Sequence, residues 1–220
     1  LVPCLIGLGT AYADAIPLQP GIALLSLLGA LLAHAGINVL NDYYDSRNGT
    51  DAANADRLFP FTGGSRFIQN GVLSEEQTAR YGYLLLLATF AIGLALLPAG
   101  GWPLVLVGLA GLFIGWAYSA PPLSLNSHGL GEPSVAIGFG LLIVVGCDLV
   151  QRGGLSWLPV WASLPYGLLV TALLYINQFP DRRADAQVGK RHWVVRLGIE
   201  RARWGYLLIV VSAYGLLSLL

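Results

Sequence analysis

Long apolar runs alternate with polar stretches of very unequal length along this chain. The runs cover approximately Val2–Ala13, Ile22–Asn41, Tyr81–Pro98, Leu104–Tyr118, Ser134–Val150 and Leu158–Phe179, and a last one begins near Trp204 and continues to Leu220. A bilayer core about 30 Å thick needs about 17–25 helical residues to cross it. The pattern therefore predicts an all-α, polytopic transmembrane bundle of about seven spans. No linker interrupts it, so residues 1–220 read as a single domain. The chain starts and stops inside apolar runs and contains no methionine. It is expected to be the core of a longer protein, truncated at both ends.

Composition agrees with a lipid-embedded chain. Residues are 55% hydrophobic and 11% charged, with a mean hydropathy of +0.66; soluble domains carry charge on roughly a quarter of their residues. The 28 glycines suit helices that pack closely through small residues. Cys4 and Cys147 both lie in apolar runs and read as buried thiols.

Charge is distributed by side. If the spans alternate, the long polar stretches Asp42–Arg80 and Pro180–Arg203 share one face with Ala120–Pro133. The short links Asp14–Gly21, Pro98–Pro103 and Gln151–Trp157 share the other. Of the 12 Lys and Arg residues, only Arg152 falls on the short-link side. The positive-inside rule places the large-loop face in the cytoplasm, which implies an integral protein of a bacterial inner membrane. The net charge is zero and by itself indicates no partner; the lipid bilayer is expected and nucleic acid is not. Oligomeric state is not legible.

Two spans end in clusters of Asn and Asp. In the first, Asn38, Asn41, Asp42 and Asp45 are three or four residues apart and share one helical face. Gly49 suits a helix end, after which Asp51 can fold back. In the second, Asn177, Asp181 and Asp185 are four apart, with Pro180 among them. Carboxylates near hydrocarbon cost several kcal/mol without a counter-charge. Magnesium is the natural counter-ion, because it takes hard oxygen ligands and is held by one or two carboxylates plus substrate phosphates. Two such clusters facing each other would hold a diphosphate. Gly63-Gly64-Ser65-Arg66 reads as an anion-binding nest or an ordinary turn.

With these motifs the chain resembles the UbiA superfamily of intramembrane aromatic prenyltransferases, whose acidic motifs have the forms N-D-x-x-D-x-x-x-D and D-x-x-x-D. Asn41, Asp42 and Asp45 match the first motif and Gly49 departs from it; Asp181 and Asp185 match the second. The branch that prenylates 1,4-dihydroxy-2-naphthoate in menaquinone biosynthesis reads N-D-Y-x-D-x-x-x-G-x-D. Asn41, Asp42, Tyr43, Asp45, Gly49 and Asp51 match it throughout, with Asn38 upstream. The runs Gly189-Lys190, Val194–Gly198 and His128–Glu132 are also similar to that branch, whereas His192 and Trp193 replace small or aliphatic residues.

The resemblance implies a bundle of nine transmembrane helices, a polyprenyl diphosphate donor, an aromatic acceptor and Mg2+. It implies metal-binding and catalytic roles for Asp42, Asp45, Asp181 and Asp185, with Asp51 as a further metal ligand. Asn38, Asn41, Arg66, Tyr118, Asn177, Lys190 and Arg191 are the remaining candidates for substrate binding. Tyr43, Tyr44 and Tyr175 could present aromatic faces to an allylic cation, and His128 and Glu132 either orient the acceptor or simply pair within their loop. His34 is expected to make a helix–helix hydrogen bond. Acceptors other than dihydroxynaphthoate, such as 4-hydroxybenzoate, homogentisate, haem or a glycerol phosphate, remain open. In other classes, a transporter or a non-catalytic scaffold could also carry Asp near the membrane.

Overall fold

In the computed structural model, which describes residues 1–58 and 61–220, the apolar runs form helices and the polar stretches close one end of them. The helices are α1 (Val2–Ala13), α2 (Pro20–Arg47), α3 (Thr50–Ala53), α4 (Glu75–Ser119), α5 (Gly131–Val135), α6 (Ile143–Arg152), α7 (Leu158–Gln187) and α8 (Trp193–Leu217). A π-helical segment, Ala136–Leu142, joins α5 to α6 in one continuous rod.

Four of these units are long and apolar enough to cross a membrane: α2, α4, the rod Gly131–Arg152 and α7. The 45 residues of α4 would reach about 68 Å if straight, twice a bilayer core. Gly101, at φ 62° and ψ −161°, breaks it into two arms. Those arms are the third and fourth apolar runs, joined without a loop. Pro98 and Pro103 flank the break, and Pro103 falls in the first turn of the second arm, where a missing N–H costs nothing. The last run is likewise the second arm of α8, which bends at Gly198 (φ 71°, ψ 162°). The first arm carries Arg196 and leads into Glu200, Arg201 and Arg203. With 12 residues, α1 falls short of a crossing length.

Packing follows small residues. α2 lies along α4, α7 along α8, and α1 along α6. A Cβ on Gly82 would come 2.6 Å from Leu40, and one on Gly140 would come 2.5 Å from the Gly167 Cα, so these crossings require glycine. The α7–α8 contact centres on the fully buried Tyr175, Val194 and Ala202.

At the end of the bundle bearing the short links, Arg152 is neutralised. Its guanidinium donates two 2.8 Å bonds to the buried Asp148, which also accepts from Thr10, and reaches Asp14 at 2.8 Å. The single basic residue on that side is thus an internal ion pair tying α6 to α1 and its following turn.

Candidate functional site

Both acidic clusters lie on helical extensions of apolar runs. α2 continues to Arg47, carrying Asn41, Asp42 and Asp45 on its last turns. Gly49, at φ +84°, turns the chain, and Asn48 Oδ1 accepts from the Thr50 amide and hydroxyl. α3 then returns Asp51 to the site, where it is 3% exposed. α7 runs through Pro180 to Gln187, carrying Asn177, Asp181 and Asp185.

The two extensions face one cleft of about 140 Å³. Asn41, Asp45, Asp51, Tyr118, Asn177, Asp181, Asp185 and Lys190, all singled out from the sequence, line it. Asp42 is not among the lining residues; the Ser65 amide donates to its Oδ2 at 3.2 Å. The turn at Gly63 and Gly64, both at positive φ, thus directs this amide at a carboxylate.

Lys190 joins the clusters. Its Nζ donates to Asp45 Oδ1 at 2.7 Å and stands 3.6 Å from Asp185 Oδ1. Burial works against the ammonium's charge, but the carboxylates of Asp45, Asp185 and Asp51 outweigh it and hold the group above its ordinary range. Asp51 has the opposite problem. Burial, then the charges of Asp45 and Asp42, push its carboxyl up to about 7, against weaker help from Lys190 and a 3.1 Å bond from Gln69. Lys190 therefore offsets only part of the negative charge around Asp51.

Asn38, Arg66 and Arg191 do not reach the cleft lining. Asn38 is exposed and pairs with His34 one turn earlier, at 3.0 Å. The expected helix–helix bond of His34 is thus made within α2, and its contact across helices is edge-on to Phe139. Arg66 takes a left-handed backbone conformation (φ 57°) beyond the glycine turn. The Arg191 side chain is exposed while its amide donates to Ser127 O at 2.8 Å. Among the tyrosines, Tyr43 binds Arg47, Tyr44 meets Tyr83, and Tyr175 is sealed between α7 and α8; only Tyr118 lines the cleft.

His128 and Glu132 do not pair with each other. His128 Nδ1 lies 2.8 Å from Leu123 O. Glu132 is fully buried and accepts from the Trp193 amide at 2.8 Å, capping the start of α8 from a distant helix. Trp193 Nε1 donates to Gly129 O, and Arg196 donates to His128 O. These bonds lace the loop after α4 to the turn bearing Lys190, fixing that turn over the cleft.

Thr50, Asn54, Asn126, Gln178 and His192 also line the cleft. Asn54 follows Asp51 by three residues and Gln178 precedes Asp181 by three, so the spacing that singled out the aspartates, taken one step further, finds both. His192 stands in a turn, where no periodicity points to it. Asn54 donates to Asp181 Oδ1 at 2.7 Å, while Asn54 Oδ1 and Gln178 Oε1 are buried without a partner.

Among the described residues, no three His, Cys, Asp or Glu side chains converge closely enough to hold a metal ion by themselves. The donor set nonetheless fits magnesium, which needs only one or two carboxylates when substrate phosphates complete its shell. The lining is rich in hard oxygens, and two buried amide oxygens there lack partners.

The model of the UbiA prenyltransferase family matches residues 1–220. The 2-carboxy-1,4-naphthoquinone phytyltransferase of Synechocystis is 28% identical over 97% of this chain and 67% of its own length. The 1,4-dihydroxy-2-naphthoate octaprenyltransferase of Escherichia coli is 31% identical over 84% of this chain and 60% of its own. That of Mycobacterium leprae is 31% identical over 86% and 62%. The chain thus spans about three-fifths to two-thirds of the length of these relatives. No solved structure matches it significantly. An all-helical bundle with two facing aspartate clusters and a match along its whole length identifies the chain as a member of the UbiA prenyltransferase family.

Proposed function

We propose that the protein transfers a polyprenyl group from its diphosphate to an aromatic acceptor, 1,4-dihydroxy-2-naphthoate, with release of pyrophosphate and carbon dioxide. The observation that carries this reading is the cleft, in which Asp45 and Asp51 from one acidic cluster face Asp181 and Asp185 from the other with Lys190 between them. Such a site suits a diphosphate delivered with divalent metal. The names of these two relatives support the acceptor class, since both specify a carboxylated bicyclic naphthoquinone or naphthoate while differing in the prenyl chain.

In this reading Asp42, Asp45 and Asp51 on one side and Asp181 and Asp185 on the other would hold Mg2+. When bound, the metal supplies Lewis-acid stabilisation of the leaving pyrophosphate. The chain's own residues do the rest. Lys190 exchanges its carboxylate partners for phosphate oxygens and neutralises charge as the allylic C–O bond breaks. Asn41, Asn54, Asn177 and Gln178 offer amide groups to the same shell. The Tyr118 ring offers a π-face to the allylic cation. The acceptor ring attacks that cation, a C–C bond forms at the carboxyl-bearing carbon, and carbon dioxide leaves from it, returning its bonding electrons to the ring. The same reading sets the cleft on the cytoplasmic side of a bacterial inner membrane.

The test is an assay of membranes containing the full-length protein with a polyprenyl diphosphate, 1,4-dihydroxy-2-naphthoate and Mg2+, following pyrophosphate, carbon dioxide and lipid product together. All three are expected in equal amounts. Asp45→Ala, Asp181→Ala and EDTA should each lower the rate at least a hundredfold. Formation of prenylated product undiminished in EDTA would remove the metal from the scheme; no prenylation of any aromatic acceptor would remove the reaction.

A further inference from the structure

Asp185 is the most enclosed carboxylate of the second cluster, and its two oxygens have different neighbours. Oδ2 lies 3.0 Å from His192 Nε2. Oδ1 lies 3.6 Å from the Lys190 ammonium, an ion pair without a close hydrogen bond. The His192 side chain is 4% exposed and that of Asp185 9%. An ionised carboxylate only accepts hydrogen bonds, so Nε2 carries the proton. Nδ1 is buried with no partner.

The imidazole is therefore placed to hold a carboxylate. A general base must lie within hydrogen-bond reach of the proton it removes; here Nδ1 is sealed and Nε2 is engaged by Asp185. His192 is also the N-cap of α8 and precedes the residue whose amide Glu132 binds. Its backbone is thus clamped from both sides, and the ring has little freedom to leave the carboxylate.

We infer that His192 is a positioning residue: by occupying Asp185 Oδ2 through its Nε2–H, it fixes the rotation of that carboxylate so that Oδ1 is the oxygen presented to a divalent cation. Outer partners of this kind set ligand orientation, and losing one typically weakens metal binding 10–100-fold. The inference rests on the metal-diphosphate reading of the cleft and adds to it a residue outside both acidic motifs.

The test compares full-length protein carrying His192→Phe, which keeps a ring but has no N–H, with His192→Gln, which keeps a donor. Mn2+ binding in the presence of inorganic pyrophosphate is read by electron paramagnetic resonance, beside the Mg2+ dependence of turnover. His192→Phe should bind Mn2+ about tenfold more weakly, and its apparent Mg2+ requirement should rise by the same factor. Turnover at saturating Mg2+ should fall much less, and His192→Gln should recover most of the affinity. If His192→Phe does not fold, His192→Leu replaces it, because it too lacks a donor and is smaller. Wild-type affinity in the donor-free variant would overturn the inference and leave the metal reading intact. Equal weakening in the Phe and Gln variants would overturn it too, by showing that ring shape matters and the N–H does not. A wild-type protein that binds no Mn2+ with pyrophosphate would overturn both readings.

Discussion

Gly64 stands at φ +66°, and a Cβ built on it would lie 2.7 Å from Asp42 Oδ1 and 3.5 Å from Asp51 Oδ1. Gly71 also has a positive φ, at +69°, but faces open space. The left-handed conformation costs any alanine about 1–2 kcal/mol, so the two positions share the strain and differ in what the methyl group meets. Gly64→Ala should displace Asp42 and lower prenyl transfer at least tenfold, while Gly71→Ala should stay within about twofold. The assay proposed above reads both variants directly. Equal losses would mean that the turn's conformation matters and its approach to the aspartates does not. The aspartates themselves were legible in the sequence because three- and four-residue spacing fixes a helical face whatever the tertiary structure. The Ser65 amide bond to Asp42 and the Lys190 bridge were not, because each spans a separation that only the assembled bundle closes.

At the scale of elements, apolar length was a good guide to helices and a poor guide to their joints. Pro98, Gly100, Gly101 and Pro103 together read as a loop between spans three and four. One residue makes the joint. Gly101, at φ 62° and ψ −161°, occupies a region of backbone space open essentially to glycine alone, and helix resumes at once because Pro103 needs no donor in its first turn. Gly101→Ala should therefore cost about 1–3 kcal/mol of local strain and lower the detergent melting temperature by several degrees. Gly108→Ala is the matched control. It lies in the second arm with nothing within 4 Å of its added methyl, and alanine is the better helix former by about 1 kcal/mol, so its melting temperature should hold or rise. A Gly101→Ala protein as stable as the parent would mean that the bend is not fixed at this residue. Gly198 in α8 has the same kind of backbone (φ 71°, ψ 162°), but it lies inside the polar stretch that precedes the last apolar run, so only the Gly101 joint comes without a polar loop to announce it.

For the whole molecule, the two ends of the bundle are chemically unlike. One end gathers the carboxylates, Lys190 and the laced loops 120–130 and 188–193; the other has an internal Arg152–Asp148–Asp14 network and short links. The sequence displayed this asymmetry through the distribution of Lys and Arg, since charge bias is a property of loops and survives without knowledge of packing. It could not display that Arg152 is neutralised, because Asp148 precedes it by four residues inside an apolar run and Asp14 comes from another helix end. The orientation argument rests on the count of Lys and Arg on each side, 11 against Arg152 alone. Cysteine labelling tests it. Asn70 is exposed in the long loop, and Gly154 in the link between α6 and α7 has nothing within 4 Å of an added Cβ. The native Cys4 and Cys147 are buried and should stay silent. In intact cells a membrane-impermeant maleimide should label Gly154→Cys and spare Asn70→Cys, and inverted membrane vesicles should reverse the pattern. Labelling of both positions from one side would break the alternation of spans. The reverse pattern would put the cleft on the outer face, away from a cytoplasmic supply of diphosphate.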